Sequence, residues 1–127
     1  MTDGVVDSTV IIHLLRRNKL ALDWAVSLTE KLSVTSITCL EILMGIPNKA
    51  ELERSKVVLQ QFDFLALNAE DQRWAVLQLE QYRLSKGVAS NDCMIASLCH
   101  RLKIPVYTHN LKDYLKVLPA TLVIQPY

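Results

Sequence analysis

Apolar and polar positions along the chain change period many times. Val5–Val6 is a short apolar run reaching Asp7, and Ser8–Leu15 continues with helical spacing. Ala21–Lys31 has the period of a second helix, with Leu22, Ala25, Val26 and Leu28 toward the core. Leu32–Thr35 is β-like, and Ser36-Ile37-Thr38 reads as the cap region of a helix over Cys39–Met44, closed by Gly45 and Pro47. Lys49–Gln61 is amphipathic, with Glu51, Glu53, Arg54 and Lys56 toward solvent. Phe64–Leu67 is the next strand. Asn68 and Asp71 have the spacing of a capping box, which opens a long helix from Ala69 to about Lys86, with Gly87 as its stop. Ser90 reads as the cap of a helix through Leu102. Pro105–Thr108 is a strand, Leu111–Leu115 a short helix and Leu122–Ile124 a last strand.

Strands alternating with helices in this way predict an α/β fold. The expected form is three-layer α/β/α, with a central, mostly parallel sheet flanked by helices. A length of 127 residues fits a single domain, 1–127, that buries roughly two-thirds of its unfolded surface. With 3 Gly and 4 Pro there is little material for a linker. The apolar stretches, such as Thr9–Leu15, are too short to cross a bilayer. The opening MTDGVVDS lacks the basic-then-apolar order of a secretory leader, so the expected location is cytoplasmic, without a membrane partner.

Charge changes the picture little. The 14 basic and 13 acidic residues leave a net +1, which neither demands nor excludes a nucleic acid, because a local basic rim can act without a global excess. Cys39, Cys93 and Cys99 form no CxxC and fall in helical apolar patterns; they read as buried reduced thiols.

Candidate chemistry lies at the strand ends, where open parallel sheets gather their sites. Strand one runs Val5-Val6-Asp7. The helix after strand two carries Glu41, with Ile37 and Met44 on its own face. The helix before Pro105 opens SNDCMIAS, with Asp92 extending the stripe Ile95, Ala96 and Cys99. The following strand leads through Thr108 into His109-Asn110, with Asp113 a turn later. Carboxylates converging in a half-buried cleft repel unless a cation neutralises them. Oxygen donors without His or Cys indicate Mg2+, with Mn2+ as a substitute. Such an ion implies phosphodiester hydrolysis by activated water. Bland roles compete at each position. Asp7 would cap the first helix, Asp92 would complement a helix dipole, Glu41 would pair with a base, and Asn110 with Asp113 would start a short helix.

Four pieces, VVDSTVIIHLL, SVTSITCLEILMG, SNDCMIASLCHRL and PVYTHNLKDY, together resemble the PIN domain, and within it the small stand-alone toxins of the VapC type. The resemblance runs from residue 5 to 114. It implies a parallel sheet between helix layers and an acidic pocket for Mg2+ or Mn2+. It also implies an endoribonuclease cutting structured RNA, typically transfer or ribosomal RNA, to halt translation. A homodimer and a cognate antitoxin are implied too, the antitoxin lying across the pocket and alone contacting DNA. By motif, Asp7, Glu41 and Asp92 take the first three acidic positions. Asn110 stands where many relatives have Asp, and Asp113 is the acid that would fill that role. Thr9 stands where Asn or Ser is common, and its hydroxyl, like that of Thr108, would support the acids by hydrogen bonding. One firmly held ion is expected, with a second arriving with substrate.

Other residues are less telling. His13, His100 and His109 look too scattered for a ligand set, and His109 reads as an exposed loop residue more readily than a phosphate contact. Arg16, Arg17, Lys19 and Lys112 would either hold RNA phosphates or simply be solvated. Trp24 and Trp74 read as core or subunit contacts. The Lys49–Gln61 helix and its surroundings would offer a groove for an antitoxin helix. Two other classes compete. A receiver domain would need paired acids after strand one and an acceptor Asp ending a middle strand, whereas Asp7 stands alone and Asp63 precedes its strand. A catalytically silent module binding RNA or protein remains open through Asn110.

Overall fold

The structure, a computed structural model, describes all 127 residues. Five strands, β1 (Gly4–Val6), β2 (Leu32–Thr35), β3 (Asp63–Leu65), β4 (Val106–Tyr107) and β5 (Val123–Ile124), form one sheet in the order β3-β2-β1-β4-β5. Every pairing is parallel. Helices α1 (Ser8–Leu15), α2 (Lys19–Ser27), α3 (Ser36–Met44), α4 (Lys49–Leu59), α5 (Ala69–Lys86), α6 (Ser90–Leu102) and α7 (Leu111–Tyr114) make the connections, with a 3-10 turn at Ala120–Leu122.

Successive strand residues point to opposite faces, and in β1 both faces are dry. Val5 and Val6 are each 0% exposed. Val5 belongs to a core with Ile95, Ala96 and Cys99 of α6 and Tyr114 of α7. Val6 belongs to a second core with Val10, Ile11 and Leu14 of α1 and Val34 of β2. The three layers follow from that division. Truncating Ile95 to Ala would cost about 3–4 kcal/mol, the usual penalty for emptying a fully packed site. Packing around β1 is tight enough to exclude any side chain at Gly4. A Cβ there would stand 2.6 Å from the Tyr107 ring and 3.1 Å from the Pro105 carbonyl oxygen.

Strand order places the crevice. The chain steps outward from β1 through β2 to β3, then returns to lay β4 on the other side of β1. At such a reversal the loops leaving the two strands diverge and open a cleft at their C-terminal ends. Asp7 leaves β1 there and Thr108 leaves β4.

Several element boundaries and faces differ from the expected ones. α2 starts at Lys19, because the Asn18 side chain accepts from the Ala21 N–H at 3.1 Å, and it ends at Ser27. Its fully buried residue is Ala21; of the expected stripe Ala25 and Leu28 pack partly buried on the core, whereas Leu22 is 41% and Val26 89% exposed. Ser90 is not a cap but the first helical residue of α6, and Ala89 holds the cap position without a side-chain bond. α3 begins at Ser36, since Thr35 accepts from the Thr38 N–H. β3 is shorter than expected and lies at the sheet edge, with Phe64 exposed. The capping box of α5 is present as read, and Gly87 ends the helix with a positive φ of 67° that glycine tolerates without strain. All three cysteines are free, Cys93 and Cys99 buried and Cys39 partly so. No helix is long and apolar enough to cross a membrane.

Candidate active site

Asp7 anchors the cleft. It is 3% exposed and follows a strand whose neighbours are wholly buried. It occupies the position before α1, yet its side chain makes no capping bond. Instead the carboxylate accepts three hydroxyls: Thr9 at 3.1 Å and Thr108 at 2.8 Å on Oδ2, and Tyr114 at 3.0 Å on Oδ1. Each threonine oxygen also accepts a main-chain N–H, His109 to Thr9 at 3.1 Å and Asn110 to Thr108 at 2.9 Å. Burial and the Asp7 charge hold the Tyr114 phenol well above its usual pKa, so it remains a donor. No cation neutralises Asp7 among these partners. The capping alternative is therefore excluded.

The other acids feel this charge. Asp92, in the first turn of α6, has its pKa pushed up to about 6 by burial first, then by Asp7, Asp113 and Glu41, with Lys116 opposing. A helix-dipole partner would move the other way. Glu41 on α3 is exposed, not at the core edge as expected, and the Met44 beside it is 87% exposed. The α3 face carrying both looks outward, because only Ile37, Thr38 and Ile42 of that helix are buried. Glu41 nevertheless lies near enough to Asp7 and Asp92 for their charges to act on one another. Desolvation on its inner side and the Asp7 charge raise its pKa, while a hydrogen bond from Asn91 opposes them.

Beyond these three the grouping is looser. Asn110 does not cap α7; its amide donates to Asp113 at 2.7 Å. Asp113 also meets Lys116 at 2.8 Å, and the bonds from Lys116 and Asn110 hold its carboxyl below the usual range. Arg16 lines a groove with Glu41 and Arg54, whereas Arg17 is exposed on the turn after α1 and lines no such groove. Lys112 is exposed and its charge reaches Asp113. Two of the three histidines meet, His13 and His109 with ring centroids 4.8 Å apart, while His100 stacks on Trp74; His109 is half-buried, not an exposed loop residue. Sequence reasoning missed Tyr114, Lys116 and Asn91. Only Tyr114 left a signal, as an aromatic closing the NLKDY segment after the strand-end polar residues.

The profile of the PIN domain matches residues 4–117 of this chain. The chain belongs to the PIN domain family. Among solved structures, a toxin–antitoxin complex from Klebsiella pneumoniae is similar at 18% identity and a TM-score of 0.78, covering 98% of both chains. FitAcB from Neisseria gonorrhoeae gives 22% identity and a TM-score of 0.75 over 97% of both. DNA-bound VapBC from Salmonella typhimurium gives 20% and 0.73 over 98% of both. At these identities the likeness is one of fold. No curated protein matches by sequence.

PIN domains are typically nucleases that use divalent metal ions. In this PIN domain no three His, Cys, Asp or Glu side chains close tightly enough to enclose an ion unaided. The donor chemistry still fits a hard cation. All the donors are oxygens, Asp7 is held by three hydroxyls, and burial first and the charge of neighbouring acids second raise the pKa values of Asp92 and Glu41. Such cations keep several of their waters and need only a few protein oxygens.

Proposed function

We propose that this PIN domain is the toxin of a VapC-type toxin–antitoxin pair, an Mg2+-dependent endoribonuclease in which Mn2+ substitutes. Its substrate would be structured RNA, transfer or ribosomal, whose cutting inhibits translation. The observation that carries the reading is the gathering of Asp7, Glu41, Asp92 and Asp113 about one cleft, where burial first and then the charges of the other acids push the pKa of Asp92 up to about 6.

Asp7, Glu41 and Asp92 would hold the ion, which when bound supplies an activated water and stabilises the departing oxygen. The hydroxyls of Thr9, Thr108 and Tyr114 keep both Asp7 oxygens aimed. Asn110 and Asp113 complete the catalytic rim, with Lys116 limiting its negative charge. Arg16, which shares a groove with Glu41, and Lys112, whose charge reaches Asp113, would receive RNA phosphates, with the exposed Arg17 as a further contact outside that groove.

The antitoxin reading has its own support. A cleft of about 520 Å3 between α2 and α4 is lined by Leu14, Leu22, Ala25, Leu28, Val58 and Phe62, which suits the apolar face of a helix. A second groove of about 470 Å3 runs beside α4 to Glu41. The Lys49–Leu59 helix thus borders both. Exposed Val76, Leu77 and Leu84 on α5 offer apolar surface to a homodimer. DNA would be reached only through the antitoxin.

The test is cleavage of bulk transfer and ribosomal RNA by purified protein with Mg2+ or Mn2+. Cleavage should stop with chelator and with Asp92→Asn. Activity that survives either change in a folded protein would sink the metal mechanism. Absence of cleavage together with growth unaffected by expression would favour a silent binding module.

A further inference from the structure

Beside the acids stands an aromatic cluster that the proposed chemistry does not use. His13 of α1 and His109 after β4 are 4.8 Å apart at their ring centroids, and Tyr127 packs on both, 5.8 Å from His13 and 4.5 Å from His109. The Tyr127 hydroxyl lies 2.9 Å from His13 Nδ1, a hydrogen bond that spans 114 residues of sequence. Trp24 closes the far side at 5.7 Å from Tyr127. His109 Nε2 is buried without a partner, so no hydrogen bond at that nitrogen sets the ring; the neighbouring rings do.

The main chain of the same loop has a different task. His109 N–H donates to Thr9 Oγ1, and Asn110 N–H donates to Thr108 Oγ1. A hydroxyl has one proton and is free to rotate. An N–H delivered to its oxygen from one side directs that proton to the other, and here the other side is Asp7 Oδ2 for both threonines. The loop 108–110 therefore aims the hydroxyls that aim the carboxylate, and the His109 ring ties that loop to Tyr127.

We infer that Tyr127, acting through His13 and His109, is a positioning residue for Asp7. This rests on the reading of Asp7 as an ion-holding carboxylate. Partners one step behind a metal ligand commonly change metal affinity by about 10–100-fold when removed.

The experiment compares Tyr127→Ala, Tyr127→Phe, Thr9→Val and the double variant Tyr127→Ala/Thr9→Val. It follows amide hydrogen exchange by NMR and Mn2+ affinity by calorimetry. Tyr127→Ala should speed exchange of the His109 amide about ten-fold while the Val5 and Asp7 amides inside the sheet keep their rates. It should weaken Mn2+ binding about ten-fold, with Tyr127→Phe, which keeps the ring, losing only about three-fold. In the Thr9→Val background the same alanine change should cost clearly less than the roughly ten-fold expected alone, because the His109–Thr9 connection is already cut and only the Asn110–Thr108 one remains. Unchanged exchange at His109, exchange speeded everywhere alike, or an undiminished Mn2+ loss in the Thr9→Val background would each overturn the inference. Wild-type protein that binds no Mn2+ would sink the metal reading alone. The His109 exchange rate and the Asp7 carboxyl chemical shift would then decide the positioning role by themselves.

Discussion

Asp71 and Asp7 are almost equally buried, 2% and 3% exposed, yet their surroundings treat the charge in opposite ways. Asp71, in the first turn of α5, receives the Asn68 N–H at 3.0 Å and a two-pronged grip from Arg101 at 2.7 and 3.0 Å. Burial alone would raise its pKa, but the Arg101 and Asn68 bonds and the Arg101 charge outweigh it and hold the carboxyl below its usual range. Asp7 has only neutral hydroxyls on its oxygens, and the residues that approach next are further acids. One acid is finished by the chain itself. The other is held in place by neutral donors, with acids beside it and no cation among its partners, and an acid so placed is a candidate for function.

The largest expected effect is on chemistry. Asp7→Asn keeps the shape of the hydroxyl-lined seat and removes its charge, so single-turnover RNA cleavage should fall by about three orders of magnitude with the fold retained. Activity within about ten-fold of wild type would break the contrast. Next comes Arg101→Ala, which leaves Asp71 buried without its cation and should cost about 3 kcal/mol in urea unfolding, with cleavage per folded molecule unchanged. Asp92→Asn should have the opposite sign. With chelator at pH 7.5 it relieves the repulsion and stabilises by about 1–2 kcal/mol, after discounting for the partial exposure of Asp92. A loss of stability would show that the site is not strained by like charge.

The smallest effect is the pH profile of stability without divalent ions. Asp92 is raised from 3.8 to about 6, so the folded state holds a proton that the unfolded state has released. Stability should decline as pH rises across that window and level off above it, and Asp92→Asn should remove the decline. Asp71 is lowered, so its contribution is present above the ordinary carboxylate range and lost as pH falls through its folded pKa. Arg101→Ala should flatten that acid limb. Thermal unfolding at fixed ionic strength separates the two.

Much of this was legible in the order of residues. Each of the five strands and seven helices has a counterpart in the periodic pattern, and the Asn68–Asp71 box and Gly87 stop stand where read. These features depend on contacts within a turn or two, which neighbouring residues specify. The exposure of Leu22 and Val26 on α2 was not legible, because an apolar face says nothing about whether another layer covers it. Glu41 failed for the same reason. The histidine pair was invisible because His13 and His109 meet only after β4 has joined β1. Lys116 gave no sign of its role, since a lysine that offsets two acids looks in sequence like any solvated one.

By itself the sequence determined the elements, the α5 capping box and the family, because helical and strand periods and motif spacing are local properties. The tertiary structure decided which acid remained without a cation. The Thr108–Asp7 bond joins positions 101 residues apart, and it exists only because β4 lies against β1 rather than β3. Charge in a protein interior is governed by what ends up within a few ångströms. That distance is set by the closing of the whole sheet, not by any stretch of chain.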